Sequence, residues 1–79
     1  MLQLQSHNMK HDTAIRELCE WAEGRLNGAS PEIRLAVWSC MAVVLPTAAE
    51  RNETRSDAVQ LCRHLGRPVP AWAEQMEIV

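Results

Sequence analysis

The apolar residues of the chain recur at intervals of three and four, which is the period of an amphipathic helix rather than of a strand. In the first such segment the apolar side chains share one arc of a helical wheel: Ile15, Leu18, Cys19, Ala22 and Leu26. Asp12 or Thr13 offers an N-cap oxygen before this segment, and Gly28 offers a left-handed residue after it. The pattern therefore predicts a first helix between Asp12 and Gly28.

Residues 1–11 are mostly polar, with only four apolar side chains spread among them. So few apolar groups bury too little surface to hold a terminal segment in place. We therefore expect residues 1–11 to form an N-terminal arm that is flexible or is ordered by a partner. The helical domain is expected to span residues 12–79.

The clearest start signal is the run Ser30-Pro31-Glu32, in which a capping hydroxyl precedes a proline at the first helical position and an acid beside the positive end of the dipole. This second helix is expected to stop before Pro46, whose ring disfavours helical backbone at the preceding residue. Within it the polar residues Arg34 and Ser39 lie about 140° apart on the wheel, so no continuous polar stripe exists. The sequence therefore predicts a helix that is apolar nearly all round.

A capping box from Thr47 to Glu50 begins the second half of the chain. The polar residues 51–54 leave two alternatives open, a continued helix or an interruption. A third helix follows, ended by Gly66, and its apolar side chains share one face: Ala58, Leu61, Cys62 and Leu65.

A short fourth helix is predicted for residues 70–79, where Trp72, Ala73, Met76 and Val79 stand at three- and four-residue spacing. No segment shows the alternation of a strand. The sequence thus predicts an all-α fold, a small bundle of three to four short helices in a single domain.

The composition excludes some classes of protein. With 79 residues, a net charge of −2 and a pI near 5.8, the chain does not coat nucleic acid or anionic membrane by bulk attraction. The longest apolar run, residues 35–45, is broken by Ser39 and is too short to span a bilayer. No secretory signal is expected at the N-terminus, and Cys19, Cys40 and Cys62 fall in apolar patterns typical of buried, reduced thiols. These features indicate a cytoplasmic protein.

Candidate chemistry is scarce. The sequence has no nucleophile elbow, no glycine-rich phosphate loop and no helical metal motif, and Cys62 and His64 point about 160° apart on a helix. His7 and His11 stand four residues apart, but the three cysteines are too widely spaced for a compact ligand set. We therefore expect no enzymatic activity, no bound metal and no cofactor.

Residues 56–78 resemble the helix-turn-helix of bacterial DNA-binding proteins. The resemblance rests on residues 61–66, with a small residue followed by Gly66 four positions later, then a turn and a new helix at Pro70. It implies that the Pro70 helix reads DNA, with phosphate contacts from Arg55, Arg63 and Arg67. The alternative function is therefore a transcriptional regulator.

The apolar second helix favours a different function, because a bundle this small covers its central helix incompletely. Tryptophan is also favoured at the hot spots of interfaces. We expect a protein partner to be bound by Trp21, Val37, Trp38, Met41, Val44, Leu45 and Trp72. The prediction is a non-catalytic protein-binding module, acting as a regulator, inhibitor or adaptor, that self-associates as a homodimer.

Overall fold

The computed structural model describes residues 2–79, and side chains from residue 9 onward. Its four helices are α1 (Leu2–Gly24), α2 (Pro31–Val44), α3 (Ala48–Leu65) and α4 (Ala71–Glu74). The described residues contain no strand, which confirms the all-α prediction. None of these helices has the length and apolar character needed to cross a bilayer.

Helix α1 begins ten residues earlier than the sequence predicted. Asp12 and Thr13 lie inside the helix, and the Thr13 hydroxyl donates to the carbonyl of Met9 at 3.0 Å instead of capping a first turn. Residues 2–11 contain neither Gly nor Pro, and extending a helix costs less than nucleating one. The predicted start at Asp12 is therefore wrong, while the ordering of residues 1–11 by a partner stays a prediction and Met1 lies outside the described residues.

The caps of α2 and α3 are formed as their sequences indicate. The Ser30 hydroxyl accepts from the amide of Ile33 at 3.3 Å, and the Thr47 hydroxyl accepts from the amide of Glu50 at 3.2 Å. Helix α3 runs without a break through residues 51–54, which decides between the two alternatives left open by the sequence. It ends at Gly66, whose backbone is left-handed with φ 68°.

The fourth helix is a single turn, so its predicted extension to Val79 is wrong. The chain leaves helical geometry at Gln75, and Met76 and Val79 are exposed instead of sharing a packed face. The physical reason is a set of contacts between Glu77 and α3, described below, which fixes the C-terminal residues in an irregular path.

Helix α2 lies between α1 and α3. Helices α1 and α2 are antiparallel, because Cys19 of α1 packs against Met41 and Leu45 near the end of α2. Ile15, Val37 and Trp38 extend this core. On the other side, α3 packs against α2 and α4.

Helices α1 and α3 have no backbone contact with each other in the described residues. Consequently the molecule is long and flat, with extents of 48 × 28 × 13 Å and a radius of gyration of 14.0 Å. A compact domain of this length would have a radius of about 12 Å. This arrangement leaves α2 uncovered on the side that bears Ile33 and Val43.

Candidate interaction surfaces

The uncovered side of α2 is apolar and is called the outer face below. It consists of Leu18 and Trp21 of α1 together with Ile33, Ala36, Cys40, Val43 and Val44 of α2, all of them exposed. The most exposed large member is Val43, at 76%. The exposed α2 residues of this face are uncharged from Ile33 to Val44, and the exposed Glu32 borders them at the start of the helix, where it pairs with Arg67.

Both helices contribute to the same side of the molecule. Arg16 reaches from α1 towards α3, and Leu18 and Trp21 lie roughly 140–160° around α1 from it. On α2, the buried Ala42 directs its carbonyl to Arg55 of α3. Ile33 lies about 180° from Ala42 on the helical wheel. The two apolar stripes therefore both face away from α3.

The predicted partner residues divide between this face and the core. Trp21 and Val44 lie on the outer face, whereas Met41 and Leu45 are only 6% and 7% exposed. The central helix was expected to leave some of its apolar residues uncovered, and Val44 is one of these, whereas α1 packs over Met41 and Leu45.

The other three predicted residues are partly buried. Val37 and Trp38 pack against the core cluster, and Trp72 lies on α4, which contacts α2 and α3. The sequence prediction did not include Leu18, Ile33, Cys40 and Val43, which are exposed on the outer face.

A polar cluster, called the clasp below, joins the C-terminal residues to α3. Arg51 donates to both carboxylate oxygens of Glu77, at 2.6 and 2.8 Å, and Arg55 donates to one of them at 2.8 Å. The Asn52 side chain bonds both backbone groups of Glu77, at 2.8 and 2.9 Å. The hydrogen bonds from Arg51 and then Arg55 to the carboxylate lower the pKa of Glu77 to about 2, well below its ordinary value.

The clasp also ends α2. Arg51 donates to the carbonyl of Leu45 at 2.6 Å, and Arg55 donates to the carbonyl of Ala42 at 3.0 Å. The last carbonyls of a helix lack partners within it, so the two guanidinium groups supply the missing donors. The same side chains thus fix the end of α2 and the C-terminal segment.

The residues of the DNA-binding alternative are not brought together for nucleic acid. Arg55 is held in the clasp, Arg67 pairs with Glu32, and Arg63 is exposed with no ion pair among the described residues. The helix expected to read DNA is one turn long and includes Glu74 and no basic residue. A recognition helix needs several turns in the major groove, so this geometry does not favour the alternative.

The thiols differ from one another in exposure. Cys19 and Cys62 are buried, and burial raises the pKa of Cys19, but Cys40 is exposed on the outer face. The expectation that all three are protected is therefore wrong for Cys40, since no helix covers that side of α2. No group of three metal-ligating side chains occurs among the described residues, and the side chain of His7 lies outside them.

A groove between α1 and α3 runs over the side of α2 that packs into the core. Two adjoining cavities of about 290 and 320 Å³ occupy it, and both are open to solvent. Glu20 and Glu23 line the α1 wall, and Glu53 and Asp57 line the α3 wall. The pKa of Asp57 is raised, first by burial and then by the charge of Glu53.

The ends and the floor of the groove have a different character. Arg16 of α1 donates to both oxygens of Glu50 at 2.9 and 3.1 Å, which closes one end with a neutralised pair. Arg34 lies at the other end. The floor is the buried core itself, since the side chains beneath the groove are 6–7% exposed, apart from the partly buried Trp38: Cys19, Leu26, Met41 and Leu45.

Comparison of the chain with protein-family models, curated proteins and solved structures gave no match. A function is therefore inferred from the surface of the molecule, where the outer face is the apolar side of α2 that no helix covers.

Proposed function

We propose that the protein is a small, non-catalytic protein-binding module of the cytoplasm that acts as a regulator, inhibitor or adaptor. The observation that carries this proposal is the uncharged apolar stripe of α2, which remains exposed along the whole helix. Exposed apolar patches of this extent on a soluble chain are typical of interaction sites. The contact surface is the outer face.

The size of the outer face supports an interface. Its five large side chains leave roughly 500 Å² of surface exposed, given that a buried aromatic side chain removes 150–250 Å² from water. A standard interface buries about 800 Å² on each partner, around an apolar centre. The outer face is therefore large enough to form the centre of an interface once its polar rim is included.

The order of large and small side chains along α2 favours a second copy of this chain as the partner at the outer face. Ile33 and Val43 stand towards the two ends of the stripe, and the small residues Ala36 and Cys40 stand between them. In an antiparallel two-fold pairing, Ile33 of each copy meets Val43 of the other. The small central residues then allow the two helices to approach closely. The stripe is thus self-complementary.

Sedimentation equilibrium tests the proposal with Val43→Glu and a matched control, Val79→Glu. Both valines are strongly exposed, at 76% and 85%, so neither substitution disturbs the core. A dimer through the outer face would bury two unpaired carboxylates in the Val43→Glu protein, and we expect dimerisation to weaken by about 100-fold or more. The Val79→Glu protein should dimerise like the wild type.

Other results would contradict the proposal. A wild-type protein that stays monomeric at about 1 mM, where even a weak dimer forms, would remove self-association. Dimerisation that persists in Val43→Glu would exclude the outer face. Tight binding to mixed duplex DNA with a steep salt dependence, lost in Arg63→Ala/Arg67→Ala, would instead support the transcriptional regulator.

A further inference from the structure

We propose that two copies of the protein exchange their C-terminal segments, so that residues 71–79 of each copy pack on α3 of the other. These residues are called the strap below, and residues 66–70, which join the strap to α3, are called the connector. The exchange uses the clasp and not the outer face. It therefore goes beyond the proposed function and adds a second mode of self-association.

The strap is bound to α3 as a ligand is bound to a receptor. Its anchors are the Glu77 carboxylate, which is held by two guanidinium groups of α3, and Ala73, which is fully buried. The hydrogen bonds of the clasp to Glu77 join positions 22 to 26 residues apart, and each has its other partner on α3. None of them depends on how the strap is joined to that helix. A strap from a second copy can therefore form the same hydrogen bonds.

The strap has little structure of its own once it leaves α3. Helix α4 is one turn of four residues, and a helix this short is not stable in water without tertiary contacts. Leaving α3 also exposes Ala73 and removes the guanidinium partners of Glu77. A detached strap therefore gains stability only by binding again, to its own α3 or to that of a second copy.

Few bonds hold the connector against α3. In the described residues its backbone hydrogen bonds to this helix run from the Gly66 amide to the carbonyl of Arg63 at 3.2 Å and from the Arg67 amide to the carbonyl of Cys62 at 2.9 Å. The Arg67 side chain also pairs with Glu32, but both side chains are exposed and such a pair contributes little. Straightening the connector thus breaks few interactions.

The reversal of the chain between α3 and the strap depends on one left-handed residue. Gly66 has φ 68°, a conformation that glycine adopts without strain and that other residues disfavour. Beyond it, Pro68 and Pro70 favour extended backbone at the residues before them, and Pro70 is itself extended, with φ −66° and ψ 148°. If Gly66 leaves the left-handed conformation, the connector leads the strap away from its own α3. Gly66 is therefore the hinge of the exchange.

The connector and the protein concentration decide between the two forms. The closed monomer and the exchanged dimer contain the same contacts between strap and α3, so they differ mainly in the conformation of the connector and in the entropy lost on association. A high protein concentration favours the dimer. A substitution that disfavours the left-handed conformation of residue 66 favours it as well.

Two matched glycine substitutions test the proposal in the Val43→Glu protein, so that pairing through the outer face does not contribute. Gly66→Ala and Gly28→Ala both place alanine at a left-handed residue, with φ 68° and 82°, and a Cβ at either position meets no other part of the described chain within 4 Å. Both strain the closed monomer alike, but exchange relieves the strain only at residue 66. Because each dimer relieves two connectors, sedimentation equilibrium should show an association constant about 30-fold or more higher for Gly66→Ala and unchanged for Gly28→Ala.

Isotope-filtered NMR shows which copy supplies the strap. In a dimer of labelled and unlabelled Val43→Glu/Gly66→Ala protein, we expect nuclear Overhauser effects between Glu77 of one copy and Asn52 of the other, because the amide hydrogen bonds of the clasp form between copies. The Val43→Glu protein refolded from urea at high concentration should contain the same dimer. This second measurement does not depend on the stability of the glycine variants.

Three outcomes would overturn the inference. Equal dimerisation of the Gly66→Ala and Gly28→Ala proteins would show a general effect of lost stability. Overhauser effects confined to one copy would show that the strap stays on its own α3. Dimerisation of Gly66→Ala that disappears when Val43→Glu is added would assign the pairing to the outer face. Failure of the exchange is therefore separable from failure of the proposed function.

Discussion

The clasp makes Asn52 a sensitive test of how the C-terminal segment is held. The Asn52 amide donates to the carbonyl of Glu77, and its oxygen accepts both the amide of Glu77 and a guanidinium hydrogen of Arg55 at 3.0 Å. Asn52→Ala removes all three hydrogen bonds and leaves the fold of α3 intact, since alanine is a strong helix former.

The magnitude of the loss follows from those three bonds. A hydrogen bond in a folded protein contributes about 0.5–1.5 kcal/mol net, and the site is only partly buried, so water replaces some of the lost partners. The gain in helix propensity offsets up to about 0.7 kcal/mol. We therefore expect the free energy of unfolding to fall by about 1–2 kcal/mol, and the melting temperature by roughly 5–15 °C for a domain of this size.

Urea unfolding followed by circular dichroism measures this change directly. Asn27→Ala is the matched control, because Asn27 is exposed in the loop after α1 and has no side-chain hydrogen bond in the described residues. The control should change the free energy of unfolding by less than about 0.5 kcal/mol. Equal stability of Asn52→Ala and the wild type would show that the clasp does not hold the C-terminal segment in solution.

Two further predictions concern titration and thiol chemistry. The folded-state pKa values of Glu50 and Glu77 are lowered to about 2, so both carboxylates contribute stability above pH 4.5 that is lost as the pH falls towards 2. Urea midpoints measured between pH 7 and 3 should show this loss of stability. The Glu77→Gln protein should show a smaller loss over the same pH range. At dilute protein concentration Cys40 should react rapidly with a thiol reagent, while the buried Cys19 and Cys62 react slowly. Cys40→Ser should abolish the rapid phase of the reaction. Three equally slow thiols in a dilute monomer would contradict the exposure of this side of α2.

Local signals predicted the middle of the chain well. Ser30 and Pro31 define the start of α2 and Pro46 lies just beyond its end, because a cap and a proline act on the neighbouring backbone alone. The start of α1 was missed because Asp12 and Thr13 are both residue types that cap helices. From sequence alone, such a residue inside a helix cannot be distinguished from one at its start.

Long-range contacts account for the errors at the C-terminus. The spacing of Trp72, Ala73 and Met76 fits a helix, but Glu77 pairs with Arg51, which is 26 residues away. A pattern of neighbouring residues in the sequence does not indicate a contact between positions so far apart. Arg55 was interpreted as a phosphate ligand for the same reason, because its partners are far away in the sequence. In the structure it donates to the end of α2 and to Glu77.

The candidate surfaces could be predicted only in part. The missing polar stripe of α2 indicated that this helix has more apolar faces than a small bundle covers, and an exposed apolar face is present. Which residues form it depends on where α1 and α3 pack, and Met41 was assigned to the partner although α1 covers it. The acidic groove was not predicted, because its two walls come from α1 and α3, whose acidic residues are ordinary solvent-facing positions in the sequence.

The uncovered side of α2 follows from the small number of helices in this chain. Surrounding a central helix takes more neighbours than α1 and α3, and the single turn of α4 covers little of it. A domain of this size folds with small net stability. A partner that covers apolar surface exposed in the monomer therefore raises the free energy of unfolding. A ligand at about 100 times its dissociation constant adds about 2.7 kcal/mol to the apparent stability. Because the outer face lies along α2, a partner bound there would stabilise the helix against which both α1 and α3 pack.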